Sequence, residues 1–587
     1  MSVRRQVLRG IAASPGVAVG PVCLFDRGHV YVSRRYIDRA GIAAEEARLH
    51  ASIDASRSEL EALRDRLVGA EQRLLIEAQL LMHRDELLID GAIELLRERS
   101  INAEWALSQT ISRFAERMRG APEAYFRERA GDIEHVGERI LRKLTGVNTE
   151  FPTVPNDGVI VADDLGPADA AQLLRSSACG IAIELGSATS HTAILARALD
   201  IPAVVGVRSL SSLAADDEVV IVDGFRGEVV LWPTDEECVV ARARGERFRA
   251  FTRGLRAQSN PAPRTRDGTA VTIDANVELP AEAALAIQEG ATGIGLYRTE
   301  FLFLDRQTPP NEHEQSKVYA DVVQVMAPRP VVFRTFDIGG DKLHGQHAAS
   351  ELLNPALGLR AIRLGLQNPK LLSTQLRSML RSSALGEVRI MFPLVTGIEE
   401  LREARGLLNE ARAELDREGV PLTKVSVGVM IEVPAAVMIA DALAKECDFF
   451  SVGTNDLVQY TLAVDRSNPR VAYMASALHP AVLRLLDLTR IAASKANIGL
   501  AMCGGMAADP VALPLVLGLG YTHLSVDLAF LPLVRAAAAA IDLELASRAA
   551  VDALACPTVR DVRRLIIERF QDSLGELWRE QGVDLEG

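Results

Sequence analysis

From residue 270 to residue 527 the chain repeats one pattern eight times: a short aliphatic or β-branched run, then a longer stretch of helical periodicity. The runs fall at 270–277, 293–298, 331–337, 388–395, 427–433, 449–456, 499–504 and 522–527. Alternation of this kind buries a parallel sheet beneath helices, and eight such units in sequence close into a (β/α)8 TIM barrel rather than an open sheet. At 587 residues the chain is too long for one core, so other units must precede the barrel.

Between residues 42 and 144 the periodicity is helical throughout, with Leu49, Ile53, Leu60, Leu63 and Leu67 on one face and Leu107, Ile111, Phe114 and Met118 on another. A last helix carries Ile133, Val136, Ile140 and Leu144. Short β-branched runs follow at 159–161, 180–183, 203–205, 219–222 and 229–232, punctuated by Gly, Asp and Pro, and the run at 16–20 is suited to pair with them. The helical bundle therefore reads as an insertion in an α/β domain. An arginine-rich helical stretch at 234–256 leads to Ser259-Asn260-Pro261-Ala262-Pro263, which ends it. The expected order is an α/β domain at 1–35 and 148–233, an inserted bundle at 36–147, a linker helix at 234–262 and the barrel at 263–587.

Within the α/β domain, the small-residue loop Gly186-Ser187-Ala188-Thr189-Ser190 leads into His191-Thr192-Ala193-Ile194-Leu195-Ala196-Arg197. This places His191 in the first turn of a helix capped by Thr189 or Ser190. Free N–H groups and the positive end of the helix dipole stabilise an anion there, so His191 is suited to accept a phosphoryl group and hand it on. The alternative is a structural histidine bonded to a nearby carbonyl.

Net charge of -13 and a pI near 5.4 disfavour a nucleic-acid partner, which needs a basic surface. Six cysteines, Cys23, Cys179, Cys238, Cys447, Cys503 and Cys556, are scattered without CxxC spacing, which fits a reducing compartment and argues against structural zinc. Arg4, Arg5 and Arg9 before the apolar stretch 11–24 imitate a signal peptide, but Pro15 and Gly16 break it and no membrane-spanning run follows. The expected location is cytoplasmic, without membrane insertion.

Barrel active sites form where strands end. Here the second run ends in Arg298-Thr299-Glu300, the third in Arg334-Thr335-Phe336-Asp337 followed by Gly339-Gly340-Asp341-Lys342, the fifth in Glu432, the sixth in Asn455-Asp456 and the seventh in Cys503. Arg360 and Arg466 lie in segments able to reach the same mouth. Guanidinium forks and a Gly-Gly turn suit an anion with several oxygens. Glu432 and Asp456 offer the oxygen ligands that magnesium prefers, although either can instead pair with a barrel arginine. Cys503 reads as a small buried hydrophobe or as a reagent at a strand end. Gly293-Ile294-Gly295 is a weak nucleotide motif, because no phosphate-binding helix start follows it.

In chain order, Ala13-Ser14-Pro15-Gly16-Val17-Ala18, Thr189-Ser190-His191-Thr192, Gly293-Ile294-Gly295-Leu296-Tyr297-Arg298-Thr299-Glu300-Phe301, Asp337-Ile338-Gly339-Gly340-Asp341-Lys342, Gly453-Thr454-Asn455-Asp456-Leu457 and Met502-Cys503-Gly504 are similar to motifs of one family. Over nearly its whole length the chain resembles enzyme I of the bacterial phosphoenolpyruvate-dependent phosphotransferase system. The resemblance implies a phosphoryl relay. Phosphoenolpyruvate and Mg2+ would bind in the barrel, with Arg298, Arg334, Arg360 and Lys342 on the phosphate and Arg466 and Asn455 around the carboxylate. Glu432 and Asp456 would hold the metal, Asp456 also lining the substrate site. The phosphoryl group would pass in line to Nε2 of His191, and Cys503 would protonate the departing enolate to pyruvate.

The resemblance further implies a swivelling phosphohistidine domain, an inserted bundle that docks the carrier HPr, and a homodimer through the barrel. A regulatory, nitrogen-type paralogue feeding an HPr-like regulatory carrier is the alternative. Related dikinases place a large nucleotide-binding domain before the histidine, and no region preceding His191 fits one. Three positions depart from the family pattern: Ser187 replaces a common glycine, Leu353 precedes Asn354-Pro355 where an acid is usual, and Gly505 stands where a glutamate commonly follows Met-Cys-Gly. None removes a group from the relay, though Gly505 alters the surroundings of Cys503.

Overall fold

The computed structural model describes residues 5–25, 32–38, 41–66, 80, 83, 86–119, 124–146, 154–155, 157–165, 177–186, 192–193, 196, 200–257, 263–303, 309–339, 355–466, 471–583 and 585. They form two compact units, Met1–Arg249 and Ala250–Gly587.

The first unit contains β1 (Gln6–Arg9), β2 (Ile11–Ser14), β3 (Val17–Phe25), β4 (Val159–Ala162), β5 (Gly180–Ile183), β6 (Ala203–Val205), β7 (Val219–Asp223) and β8 (Glu228–Leu231). They make one sheet in the order β1-β8-β7-β3-β4-β5-β6-β2. The run at 16–20 opens β3, which pairs antiparallel with β7 and parallel with β4. Both faces are covered. Ile160, Ala162, Ile181 and Ile183 enter one core, while Val159, Val161, Ala182 and Val204 enter another. That period-two division explains why these strands read as unbroken apolar runs.

Between β3 and β4 lie the helices Ile42–Arg66, Glu86–Arg99, Ala103–Arg119 and Ala124–Thr145. They bury Leu49, Ile53, Leu107, Ile111, Val136, Ile140 and Leu144 in a core of their own. Leu67 and the side chains of Leu63 and Met118 lie outside the described residues. Arg48 ties two of these helices together, reaching Glu45 and Glu104 at 2.6 Å each. The helix Asp235–Ala257 then begins at a reciprocal cap: Thr234 Oγ1 accepts the Glu237 N–H at 3.2 Å, and Glu237 Oε2 accepts that of Thr234 at 2.9 Å.

The second unit is a closed parallel barrel of β9 (Thr272–Val277), β10 (Ile294–Arg298), β11 (Val331–Arg334), β12 (Val388–Phe392), β13 (Ser426–Ile431), β14 (Phe449–Val452), β15 (Gly499–Met502) and β16 (His523–Asp527), with β16 returning to β9. Alternation sorts the side chains here too. Val331, Phe333, Ile390, Val429, Ile431 and Phe450 pack outward among the helices, whereas Leu296, Val332, Met391, Met430, Phe449 and Cys503 form a separate inner cluster. Burying each large side chain of that plug contributes about 1.5–3 kcal/mol. Gly428 makes room for it, since a Cβ there would meet the Phe449 ring at 2.3 Å.

Five strands stop short of their sequence runs, β11 at Arg334, β12 at Phe392, β13 at Ile431, β14 at Val452 and β15 at Met502. Asn455 and Asp456 accordingly occupy the first turn of the helix Thr454–Leu462 rather than a strand end. The break falls at Gly453, where a Cβ would meet Glu432 Oε2 at 2.8 Å. All six cysteines are free, and among the described residues no helix is long and apolar enough to cross a membrane.

Candidate active site at the barrel mouth

Arg298 closes β10 and Arg334 closes β11, so ladder pairing delivers both guanidinium groups to the same end of the barrel. Arg360 arrives differently. It bridges Gly339 through its backbone, and the Ala361 N–H donates to Ile338 O at 3.0 Å.

Asp337 holds the two forks together. Its Oδ1 accepts from Arg360 Nε and NH2 at 3.0 and 2.7 Å, and its Oδ2 faces Arg334 NH1 at 3.3 Å. Glu300 Oε1 accepts from Arg334 NH2 at 2.9 Å and from the Asp337 N–H at 2.7 Å. Fully buried Gln375 braces this strand end, donating to Thr299 Oγ1 at 3.0 Å and accepting the Phe336 N–H at 3.0 Å. Among the described residues Arg334 Nε and Glu300 Oε2 are buried without a hydrogen-bond partner, as expected of a site that completes its bonding with a ligand.

Burial opposes the charge of Arg334, yet Glu300, Asp337 and Glu432 outweigh it and hold the guanidinium firmly protonated. Arg360 is held the same way by Asp337 and Asp456. Arg298 pairs with Glu278, which with Asp527 overcomes its desolvation. Arg466 NH2 lies 3.1 Å from Asp456 Oδ1.

Asp337, Glu432 and Asp456 each offer a carboxylate oxygen, and these oxygens lie within 4.8 Å of one another. Burial pushes Glu432 well above the usual carboxylate range, and the charges of Asp337 and Asp456 push it further. Its Oε1 accepts a backbone N–H from Leu394 at 2.7 Å, and Leu394 holds a φ of 56° to present it. A left-handed conformation at a leucine is costly and persists only where surrounding structure enforces it. Like charges compressed in a buried pocket fit a divalent cation, and an all-oxygen donor set selects a hard one. These three residues can hold a metal ion.

Cys503 belongs to the inner cluster, with Sγ 3.6 Å from Val452 O, and its thiol is pushed up to about 11, first by burial and then by the Glu432 charge. It is protonated at neutral pH. Asn276 Nδ2 reaches the Cys503 carbonyl at 3.3 Å and Asp527 Oδ1 at 3.1 Å. Asn455 Oδ1 accepts the Gly505 N–H at 2.9 Å, which leaves its amide NH2 free to donate elsewhere.

The barrel mouth thus assembles Arg298, Arg334, Arg360, Glu432, Asn455, Asp456, Arg466 and Cys503. His191 and Lys342 lie outside the described residues, as do Ser187 and Leu353; the neighbours Thr192 and Ala193 are helical. Asp456 faces Arg360 and Arg466 and also shares the carboxylate cluster, so its geometry is compatible with both readings left open for it. Asp337 as a third carboxylate, Glu300, Gln375 and the Leu394 amide were not assigned from the sequence. Asp337 had a visible signal, standing three residues after Arg334 at the same strand end. Glu300 had one too, two residues after Arg298, whereas Gln375 and Leu394 had none.

Three family models match in chain order: the N-terminal domain of phosphoenolpyruvate-utilising enzymes over residues 9–129, their mobile domain over 154–227 and their phosphoenolpyruvate-binding domain over 253–543. The chain is built from the domains of a phosphoenolpyruvate-utilising enzyme. The chain is 38% identical to the phosphoenolpyruvate-protein phosphotransferase of Bacillus sp. (strain S), across 97% of this chain and 99% of that one. It is 37% identical to the enzyme of that name from Listeria innocua, across 95% and 98%, and 38% identical to the one from Staphylococcus aureus, across 89% and 92%. The chain belongs to the phosphoenolpyruvate-protein phosphotransferase family.

Proposed function

We propose that the protein takes the phosphoryl group of phosphoenolpyruvate onto His191 and passes it to an HPr-type phosphocarrier, releasing pyruvate and starting the sugar phosphotransferase relay. The observation that carries this reading is the convergence of Arg334, Arg360 and the Asp337–Glu432–Asp456 cluster at one strand-end mouth. Arg298, Arg334, Arg360 and Lys342 bind the phosphate, while Arg466 and the free amide NH2 of Asn455 orient the carboxylate. Glu432 and Asp456, joined by Asp337, hold Mg2+, which supplies charge neutralisation for the phosphoryl oxygens.

Nε2 of His191 attacks phosphorus as the bond to the enolate oxygen breaks, and positioning with charge neutralisation accounts for most of the catalysis. The enolate then takes a proton at its terminal carbon. Cys503 is fitted to give it, because its raised pKa keeps the thiol protonated near neutral pH. The helices between β3 and β4 dock the carrier, the barrel mediates a homodimer, and the protein works in the cytoplasm.

The test is incubation with phosphoenolpyruvate labelled at phosphorus, Mg2+ and a panel of HPr carriers. Acid-labile, base-stable label that moves from this protein to a carrier supports the reading. Labelling that requires ATP instead would overturn it.

A further inference from the structure

Tyr460 lies on the helix Thr454–Leu462, one turn beyond Asp456. Its hydroxyl donates to Ala356 O at 2.5 Å and accepts from Arg360 NH1 at 3.3 Å. Elementary chemistry fixes both roles, since a carbonyl can only accept and a guanidinium can only donate. The phenol thereby joins three points, two of them in one segment about a hundred residues before it. One is the helix that bears a metal-cluster carboxylate, one is the short turn Pro355–Leu357, and one is a guanidinium at the barrel mouth.

The described side-chain contacts of Arg360 otherwise go to acids, to Asp337 through Nε and NH2 and to Asp456 at 3.8 Å. Acids alone hold the charge but leave the plane of the fork free to follow whichever carboxylate moves. A third, neutral contact at NH1 fixes that plane. The backbone here is also under constraint, because Ala361, the next residue, holds a φ of 53°. Such strain persists only when neighbours over-determine the conformation.

We propose that Tyr460 is a positioning residue that presets the Arg360 guanidinium for the substrate phosphate. The proposal rests on the reading of Arg360 as a phosphate contact. Tyr460 is not a catalytic residue, because its proton is committed to the Ala356 carbonyl and burial raises its pKa, so it has no acid role toward substrate. Its contribution is preorganisation, and its loss falls on substrate affinity more than on the chemical step.

Tyr460→Phe in the full-length protein removes only the hydroxyl. The KM for phosphoenolpyruvate should rise about ten- to a hundredfold, the range for losing one hydrogen bond to a charged group, with kcat changed less than KM. Mn2+ binding, read by electron paramagnetic resonance, and the thermal midpoint should stay at wild-type values. In an Arg360→Lys background the same substitution should add less than about twofold, because the group it positions is gone.

Wild-type KM in Tyr460→Phe, alongside a raised KM in Arg360→Lys, would overturn the role of Tyr460 and leave the site reading intact. Unchanged KM in Arg360→Lys itself would overturn the site reading and the proposal with it. Equal effects of Tyr460→Phe in both backgrounds, with a lowered thermal midpoint, would mark the residue as structural and also overturn the proposal.

Discussion

Gly504 lies so close to Thr454 that a Cβ at 504 would meet Thr454 Oγ1 at 2.0 Å and its backbone N at 2.4 Å. The residue after Cys503 is thus seated on the first residue of the helix that carries Asn455 and Asp456. Gly504→Ala must displace that helix start, because a backbone nitrogen cannot rotate aside. Overpacking of this kind costs about 1–3 kcal/mol, and misplacing reacting groups by an ångström costs about a hundredfold in rate. We expect a modest fall in the urea midpoint and a much larger fall in kcat/KM. Normal turnover in this variant would show that the two strand ends are mechanically independent.

The three carboxylates should separate by function. Glu432→Gln and Asp456→Asn should each weaken Mn2+ binding and reduce metal-dependent transfer while the barrel stays folded. Asp337→Asn should raise the KM for phosphoenolpyruvate more than it weakens the metal, because Asp337 also anchors Arg334 and Arg360. Titration of each variant with Mn2+ and with substrate decides the matter. Unchanged metal affinity in both Glu432→Gln and Asp456→Asn would refute the cluster as a metal site.

Cys503→Ala should bind phosphoenolpyruvate almost normally yet lose about two to four orders of magnitude in steady-state turnover, the range for removing a general acid. A mere packing residue would behave otherwise, costing modest stability and little activity. Near-wild-type pyruvate release would leave Cys503 as part of the inner plug alone.

His191→Ala should abolish acid-labile phosphoenzyme while isothermal titration still registers phosphoenolpyruvate on the barrel. Persistent label of that kind on the variant would mean that another nucleophile accepts the phosphoryl group.

A pH effect is expected away from the site. Arg377 and Arg381 reach Glu312 at 2.7 and 2.5 Å, joining the helices Glu312–Met326 and Pro369–Ser382. Burial alone would raise the Glu312 pKa, but the hydrogen bonds and charges of the two arginines outweigh it and hold the carboxyl below the usual glutamate range. With the folded value depressed, the stabilisation is complete above the ordinary glutamate pKa and is lost as pH falls through the depressed value. Glu312→Gln should lower the urea midpoint near neutral pH, and the gap from wild type should shrink below about pH 4. A gap independent of pH would refute the ion-pair account.

Periodicity made the barrel legible because each strand is buried on two faces, with Phe333 going outward and Val332 inward, and such strands cannot hide among polar residues. Arg298, Arg334 and Glu432 are legible because they sit where apolar runs stop. Asp456 was placed one element too early, since a break at Gly453 imposed by the neighbouring Glu432 side chain is a tertiary fact. Glu300 is visible at a strand end but its bracing role is not, and Gln375 is not legible at all. Their roles exist only once β10, β11 and a later helix are side by side, and nothing in local spacing marks a side chain that will brace a backbone N–H of another element.

β3 and β4 are hydrogen-bonded neighbours running parallel, with Val22 opposite Val159 and Phe25 opposite Ala162, although the helices described between Ile42 and Thr145 separate them along the chain. Parallel neighbours always need a crossover, and the entropy of closing one grows only with the logarithm of its length. The sheet is therefore nearly indifferent to what fills that gap. If those helices dock the carrier as proposed, the docking surface can be rewritten or exchanged as a cassette without re-registering the sheet.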